Sequence, residues 1–170
     1  MIGLGGLGQI AVQILRALTG ATILATDLDE GAMRRAEDKG AVRIPGGEEQ
    51  VAAIRAHTGG RGVDAAFDFV GAAPTIRMAQ ASMALGGRLT VAGIANGQAE
   101  WTFFSTPFGA LLTNTYWGTL PDLHEVVAMY RAGQIVPEIE RFDFDHALDA
   151  YHRLEDGTMT ARAVIVPNAM

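Results

Sequence analysis

Apolar positions along this chain recur with two alternating periods. Leu7, Ile10, Ala11, Ile14, Leu15 and Leu18 follow the three-and-four spacing of one helical face. Thr19 and Gly20 end that helix, and residues 21–26 then form a short apolar run of strand character closed by Asp27. The exchange repeats: a helix over 29–39 with Gly40 at its C-cap, a strand over 41–44 stopped by Pro45, a helix over 48–58, a strand over 63–70, a helix over 76–83 and a strand over 88–94. Strands separated by helices are joined by crossovers and pair in parallel. The pattern therefore predicts an α/β fold, a Rossmann-type doubly wound parallel sheet covered on both faces.

Beyond Asn96 the rhythm changes. Residues 101–104 and 111–117 read as strands joined by a turn through Pro107 and Gly109. A helix follows over 121–131, with Leu123, Val126, Val127 and Tyr130 on one face. The remainder reads as a strand over 138–142, a helix over 145–155 with Leu148, Tyr151 and Leu154 aligned, and a strand over 162–166. At the other end, Met1 and Ile2 run straight into a glycine-rich loop that ordinarily follows about five or six residues of buried strand. The sequence is thus expected to begin inside an element, as a fragment, a truncated product or a misplaced start would.

Composition narrows the function classes. The 170 residues are 49% hydrophobic and 19% charged, the balance of a globular domain able to bury a core. The net charge of −6 comes with no basic run longer than Arg34 and Arg35, which argues against nucleic acid as a partner. There is no cysteine, so no disulfide framework and no thiolate zinc site can be built. With no long apolar span and no secretory leader pattern, no membrane contact is expected and the expected location is cytoplasmic.

The loop after Ile2 carries the clearest chemistry. Gly3, Gly5 and Gly8 fit GxGxxG around Leu4, Gly6 and Leu7. In that pattern the first glycine permits the tight turn, the second lets backbone approach a pyrophosphate, and the third lets helix and strand pack closely. The phosphates would face the helix N-terminus, whose unpaired N–H groups and dipole favour an anion. A glycine turn that merely packs a strand on a helix would look the same locally. Asp27 favours the dinucleotide: it ends the second strand about twenty residues on, where a carboxylate accepts the adenosine ribose hydroxyls. A 2′-phosphate would meet like charge there, and Leu28 offers it no cation, so NAD is expected over NADP. The alternative for Asp27 is a helix cap, a place that Asp29 suits better.

Asp68 interrupts an apolar strand and reads as an anchor for neighbouring backbone N–H groups rather than a catalytic carboxylate. Val70 and Gly71 end one strand, and residues 91–94 end the next, on the carboxyl edge where open α/β sheets bind ligands. Adenine packing is expected at the first, and a nicotinamide carboxamide on the backbone near Ile94 at the second. His57, His124, His146 and His152 all fall on predicted helices without a second ligand at metal-site spacing, so no metal site is expected. No arrangement suggests a nucleophile, and no catalytic residue is assigned.

The segments IGLGGLGQIAVQILRA, ATDLDE, GGRGVDAAFDFVGAAPTI, ALGGRLTVAGI and FFSTPFGALLTNTYWGT, in this order, resemble the C-terminal half of zinc-type medium-chain alcohol dehydrogenases, particularly bacterial secondary-alcohol enzymes. The resemblance implies a Rossmann part over 1–121 and, over 122–170, a helix and a segment returning to a catalytic domain. It implies Gly3, Gly5, Gly6, Leu7, Gly8, Asp27, Val70, Gly71 and Ile94 as NAD ligands. Phe104, Tyr116 and Trp117 match positions near the substrate pocket or dimer interface, with plain core or interface packing the competing reading.

The same resemblance implies homo-oligomers through the strand from Leu111 to Trp117. Two departures stand out. Family members carry Lys or Arg where this chain has Ala32, with Arg34 and Arg35 nearby, and the zinc ligands and proton relay lie upstream of Gly3. Zinc is thus expected in the full-length family with no ligands here, and the chain is expected to bind NAD(H) without turning over alcohol or ketone. Competing classes are a zinc-independent quinone or enoyl reductase, against which Asp27 argues; a non-catalytic NAD-binding module; and, more distantly, an S-adenosylmethionine methyltransferase.

Overall fold

The computed structural model describes residues 1–167. Its elements run α1 (Gly8–Leu18), β1 (Leu24–Ala25), α2 (Glu30–Asp38), β2 (Val42–Arg43), α3 (Gln50–His57), β3 (Val63–Asp68), α4 (Ala73–Ser82), β4 (Met83–Val91), β5 (Leu111–Asn114), α5 (Leu120–Arg131), β6 (Ile139–Asp143), a 3-10 turn (Phe144–His146), α6 (Ala147–Glu155) and β7 (Arg162–Val166). β1 pairs with β2, and β3 with β4 and β4 with β5, all in parallel. Ile2 bridges both groups, pairing with Thr26 on one side and Asp68 on the other. The spatial order is therefore β2, β1, Ile2, β3, β4, β5, with the direction of winding reversing at Ile2. This is the doubly wound parallel α/β arrangement read from the sequence.

Among the described residues, Met1 to Gly3 lie between the two half-sheets. The Ile2 N–H donates to the Phe67 carbonyl at 2.9 Å and the Phe69 N–H to the Ile2 carbonyl at 2.8 Å. On the other side the Gly3 N–H donates to the Thr26 carbonyl at 3.0 Å. These few bonds join two half-sheets, and the buried side chains fall into groups around them. Leu4, Val12, Ile23 and Met33 pack on one side; Ile2, Ile76, Met83 and Leu89 form a second group, and Leu24, Ile44 and Ile54 a third.

Several elements depart from expectation. Residues 101–104 form no strand: 101–102 are irregular and 103–105 form a turn, held by Ser105, whose Oγ accepts the Thr102 N–H at 2.7 Å. That side-chain bond offers the backbone an alternative to a ladder. The strand expected over 111–117 ends at Asn114, and Trp117 has a φ of 66°, which no strand tolerates. β4 begins at Met83, five residues before the strand expected over 88–94, and runs through Gly86 and Gly87, its register against β3 shifting between Val63 and Ala65.

The helical faces also differ. On α1 the buried positions are Gly8, Val12 and Gln13, whereas Leu7 and Leu18 at the ends of the apolar stripe are exposed. Leu123, Val127 and Tyr130 of α5 and Leu148, Tyr151 and Leu154 of α6 are exposed as well, while Met129 and Ala150 are buried. Apolar periodicity marks a helix, but it does not say what covers each face.

The segment after α5 is fastened to α1 by two glutamines one turn apart. Gln13 Oε1 accepts the Val136 N–H at 2.8 Å, and Gln9 Oε1 accepts the Glu138 N–H at 2.9 Å. β6 and β7 then pair in parallel. Arg153 of α6 forks onto Glu140 of β6, with Nη2 to Oε2 at 3.0 Å, and lies 5.7 Å from the Phe142 ring centroid. The last positions of the expected return segment, 168–170, lie outside the described residues.

Candidate functional site

The glycine loop is as crowded as its pattern demands, and at particular positions. Gly3 sits at a φ of +82°, and a Cβ there would lie 2.8 Å from Val70 Cγ2. At Gly8 a Cβ would lie 1.9 Å from the Gly3 carbonyl oxygen, so the start of α1 rests directly on the turn. At Gly5 a Cβ would meet no atom within 4 Å. Gly3 and Gly8 are thus required by packing, while Gly5 turns its bare backbone to open space in front of the helix N-terminus. Gly6 and Leu7 complete the loop, with Leu7 exposed.

Asp27 closes the loop on its second-strand side. Its Oδ2 accepts the Leu4 N–H at 2.5 Å and its Oδ1 the Asp29 N–H at 2.9 Å. Each oxygen retains a further lone pair, so the carboxylate can still accept hydroxyl donors. Asp29, as expected, is the cap of α2: its Oδ1 accepts the Ala32 N–H at 2.6 Å. Ala32 is buried, Arg34 is exposed, and Arg35 donates to the Thr160 carbonyl at 3.0 Å. Arg35 is therefore engaged with the chain's own backbone.

The carboxyl edge of β3 and β4 forms the opposite wall. Asp68 is fully buried; Oδ1 accepts the Val70 and Gly71 N–H groups at 2.9 and 3.0 Å, and Oδ2 accepts the Thr75 hydroxyl at 2.7 Å. It is an anchor, as read from the sequence. Gly71 has a φ of +72°, and a Cβ there would lie 2.2 Å from the Gly93 carbonyl oxygen. Val70 and residues 93–95 consequently lie against one another, with the Ala95 N–H donating to the Val70 carbonyl at 3.1 Å. Ile94 is exposed at this edge.

Phe104, Tyr116 and Trp117 do not share the site's interior. All three are exposed; Phe104 stacks edge-on with Phe103 at 4.9 Å and Tyr116 with Trp117 at 5.0 Å. They lie on the segments flanking β5, whose four residues are all exposed. Plain core packing is thereby excluded for them within this chain.

One residue at the loop escaped the sequence reading. The Arg162 guanidinium stands over Gly6, its Nε and Nη2 each 3.3 Å from where a Cβ would be. Arg162 begins β7, and no local pattern announces it, because the contact joins residues far apart in sequence. It brings a cation to a loop already suited to an anion.

The residues present do not fit zinc. The chain has no cysteine, and among the described residues no three His, Asp or Glu side chains gather as a metal would need. His146 bonds to Asp143, His152 lies 3.8 Å from Glu155, and His57 and His124 are exposed. Among the described residues no helix is long and apolar enough to cross a membrane.

Comparison with known proteins accords with this geometry. Residues 6–131 match the family model described as zinc-binding dehydrogenase. A NAD-dependent alcohol dehydrogenase of Sulfolobus acidocaldarius is 34% identical over 168 residues, covering 95% of this chain and 47% of that protein. An alcohol dehydrogenase of Geobacillus stearothermophilus is 30% identical over 166 residues, covering 96% and 48%. The crystal structure of the alcohol dehydrogenase of Aeropyrum pernix superposes with a TM-score of 0.88 at 32% identity, covering 98% of this chain and 48% of that one. The chain thus spans about half the length of the relatives it matches.

Proposed function

The chain belongs to the zinc-binding dehydrogenase family, and from that premise we propose that it is the NAD(H)-binding portion of an alcohol dehydrogenase, which in complete form transfers hydride between an alcohol and NAD. The observation that carries this reading is the contrast within the loop: Gly3 and Gly8 are held by contact, Gly5 is open, and Asp27 is joined to Leu4 beside it. That is a cradle for a pyrophosphate followed by a ribose.

Gly5, Gly6 and the first turn of α1 would hold the pyrophosphate, with Arg162 adding positive charge. Asp27 would accept the adenosine ribose hydroxyls and repel a 2′-phosphate. Val70 and Gly71 would line the adenine side, and the backbone near Ile94 would meet the nicotinamide end. When bound, the cofactor supplies the hydride acceptor. This chain's own residues orient it, and none of them performs proton chemistry. Alkoxide stabilisation falls to groups outside these residues, so the chain alone is expected to bind without turnover. The edge of β5, unpaired among the described residues, and its exposed side chains, with Tyr116 and Trp117 beyond it, support pairing with a second copy.

Titration with NADH, NADPH and S-adenosylmethionine, followed by a secondary-alcohol assay with added zinc, tests the reading. Saturable NADH binding without turnover is expected. Preference for NADPH would favour a quinone or enoyl reductase, and alcohol oxidation by the isolated chain would overturn the assignment of catalysis to residues outside it. A non-catalytic NAD-binding module predicts the same binding, and fusion to a relative's remaining half distinguishes it by whether activity appears.

A further inference from the structure

Asp27 has a charged neighbour on the next strand. Arg43 ends β2 and pairs with Ala25 of β1. Paired residues on adjacent strands point to one face, as do residues two apart on one strand, so Arg43 falls on the same face as Ala25 and Asp27. That face is the one covered by α1 and α2, since Ala25 packs with Val12, Met33 and Ala36. One strand spacing across and two residues along put the Arg43 and Asp27 Cα atoms about 8 Å apart, within reach of an extended arginine side chain.

The Arg43 guanidinium is paired with Glu30, the first residue of α2, through Nη2 and Oε1. The turn from β1 into α2 thus carries three carboxylates with three different partners. Asp27 accepts the Leu4 and Asp29 N–H groups, Asp29 caps α2 through the Ala32 N–H, and Glu30 holds Arg43. The first two are fastened to backbone. The third pair adds little to stability: the Glu30 side chain is 62% exposed and that of Arg43 37%, and an ion pair so open to water is weak. What it changes is the charge offered to a ligand at the start of α2. A helix N-terminus with an arginine beside it suits a phosphate, whereas Glu30 cancels that arginine next to two further carboxylates.

We propose that Glu30 sets the coenzyme selectivity of this chain by withholding Arg43 from the 2′-phosphate of a phosphorylated dinucleotide, so that NADP(H) is refused by the ion pair as well as by the Asp27 charge. This selectivity rests on the dinucleotide reading of the glycine loop, to which it adds a residue pair that decides between coenzymes. When Glu30 loses its charge, the Arg43 guanidinium is free to donate to the 2′-phosphate through a forked, charge-assisted contact. The unphosphorylated coenzyme has no group there, and its binding does not depend on Glu30 or Arg43.

The test measures dissociation constants for NADH, NADPH and adenosine 2′,5′-bisphosphate, by fluorescence titration and competition, on the full chain and on Glu30→Gln, Arg43→Gln and the double variant. Glu30→Gln is expected to tighten NADPH and the bisphosphate by about tenfold or more while leaving NADH within about twofold, which also shows that the variant is folded. Arg43→Gln alone should weaken both phosphorylated ligands, since Glu30 is then unopposed. In the double variant the gain should shrink to about threefold or less, because the cation that produced it is gone. Unchanged NADPH affinity in Glu30→Gln, with NADH bound normally, would overturn the proposal and leave the dinucleotide reading standing. A gain that survives in the double variant would overturn it too, placing the effect on lost repulsion or on Arg34, whose charge also acts on Glu30. Failure of the native chain to bind NADH at all would overturn both.

Discussion

Gln13 and Val136 are bonded twice, through the Val136 N–H to Oε1 at 2.8 Å and from Nε2 to the Val136 carbonyl at 3.1 Å. A side-chain amide here imitates a neighbouring strand, and Gln9 repeats the arrangement at Glu138. The glutamines thereby tie residues far along the chain to the helix behind the glycine loop.

Gln13→Leu should cost about 1 kcal/mol, because it removes both part-buried hydrogen bonds that the buried Gln13 makes to the Val136 backbone. Chemical denaturation measures the loss. Amide exchange should accelerate at Val136 and Glu138 more than at Met33 or Ile44.

Gly8→Ala and Gly5→Ala should separate folding from binding. The added carbon at Gly8 meets the Gly3 carbonyl, so that variant should lose more than about 3 kcal/mol or fail to fold. At Gly5 the carbon meets nothing within 4 Å. That variant should keep its thermal midpoint and lose NADH affinity by about tenfold or more, read by fluorescence titration.

Asp27→Asn should weaken NADH binding roughly tenfold while narrowing the gap between NADH and NADPH, since it removes the charge that repels a 2′-phosphate. Arg162→Ala should weaken both coenzymes alike, because the pyrophosphate is common to them. Equal loss of both coenzymes in Asp27→Asn would remove the ribose role assigned to it.

The Met1 amine is pushed down from 8.0 to about 6, first by enclosure away from water, with the Asp68 charge acting in the opposite direction. An ammonium whose folded value is depressed binds its proton more readily in the unfolded chain. For the chain with a free amine at Met1, stability is therefore full above about pH 8 and falls as pH drops toward 6. Thermal midpoints measured across that window should rise with pH, and acetylating the amine should flatten the rise.

Much of this was legible in the order of residues. The change from three-and-four spacing to short apolar runs marked α1 to β4 in sequence, because local periodicity and crossover geometry leave a parallel sheet as the arrangement that covers both faces. Gly3, Gly5, Gly8 and Asp27 stood out for a similar reason: turn, close approach and acceptor follow at spacings set by one βαβ unit. Asp29 and Asp68 were legible too, since a cap and an anchor act on backbone within a few residues.

Only the tertiary structure decided what lies far apart in sequence. It brought Arg162 over Gly6, set Gln13 against Val136, turned residues 101–104 away from a strand and left the expected apolar faces of α5 and α6 uncovered. The physical reason is the range of the forces involved. Periodicity and turn chemistry act between near neighbours, whereas burial and long-range pairing depend on which surfaces the folded chain brings together.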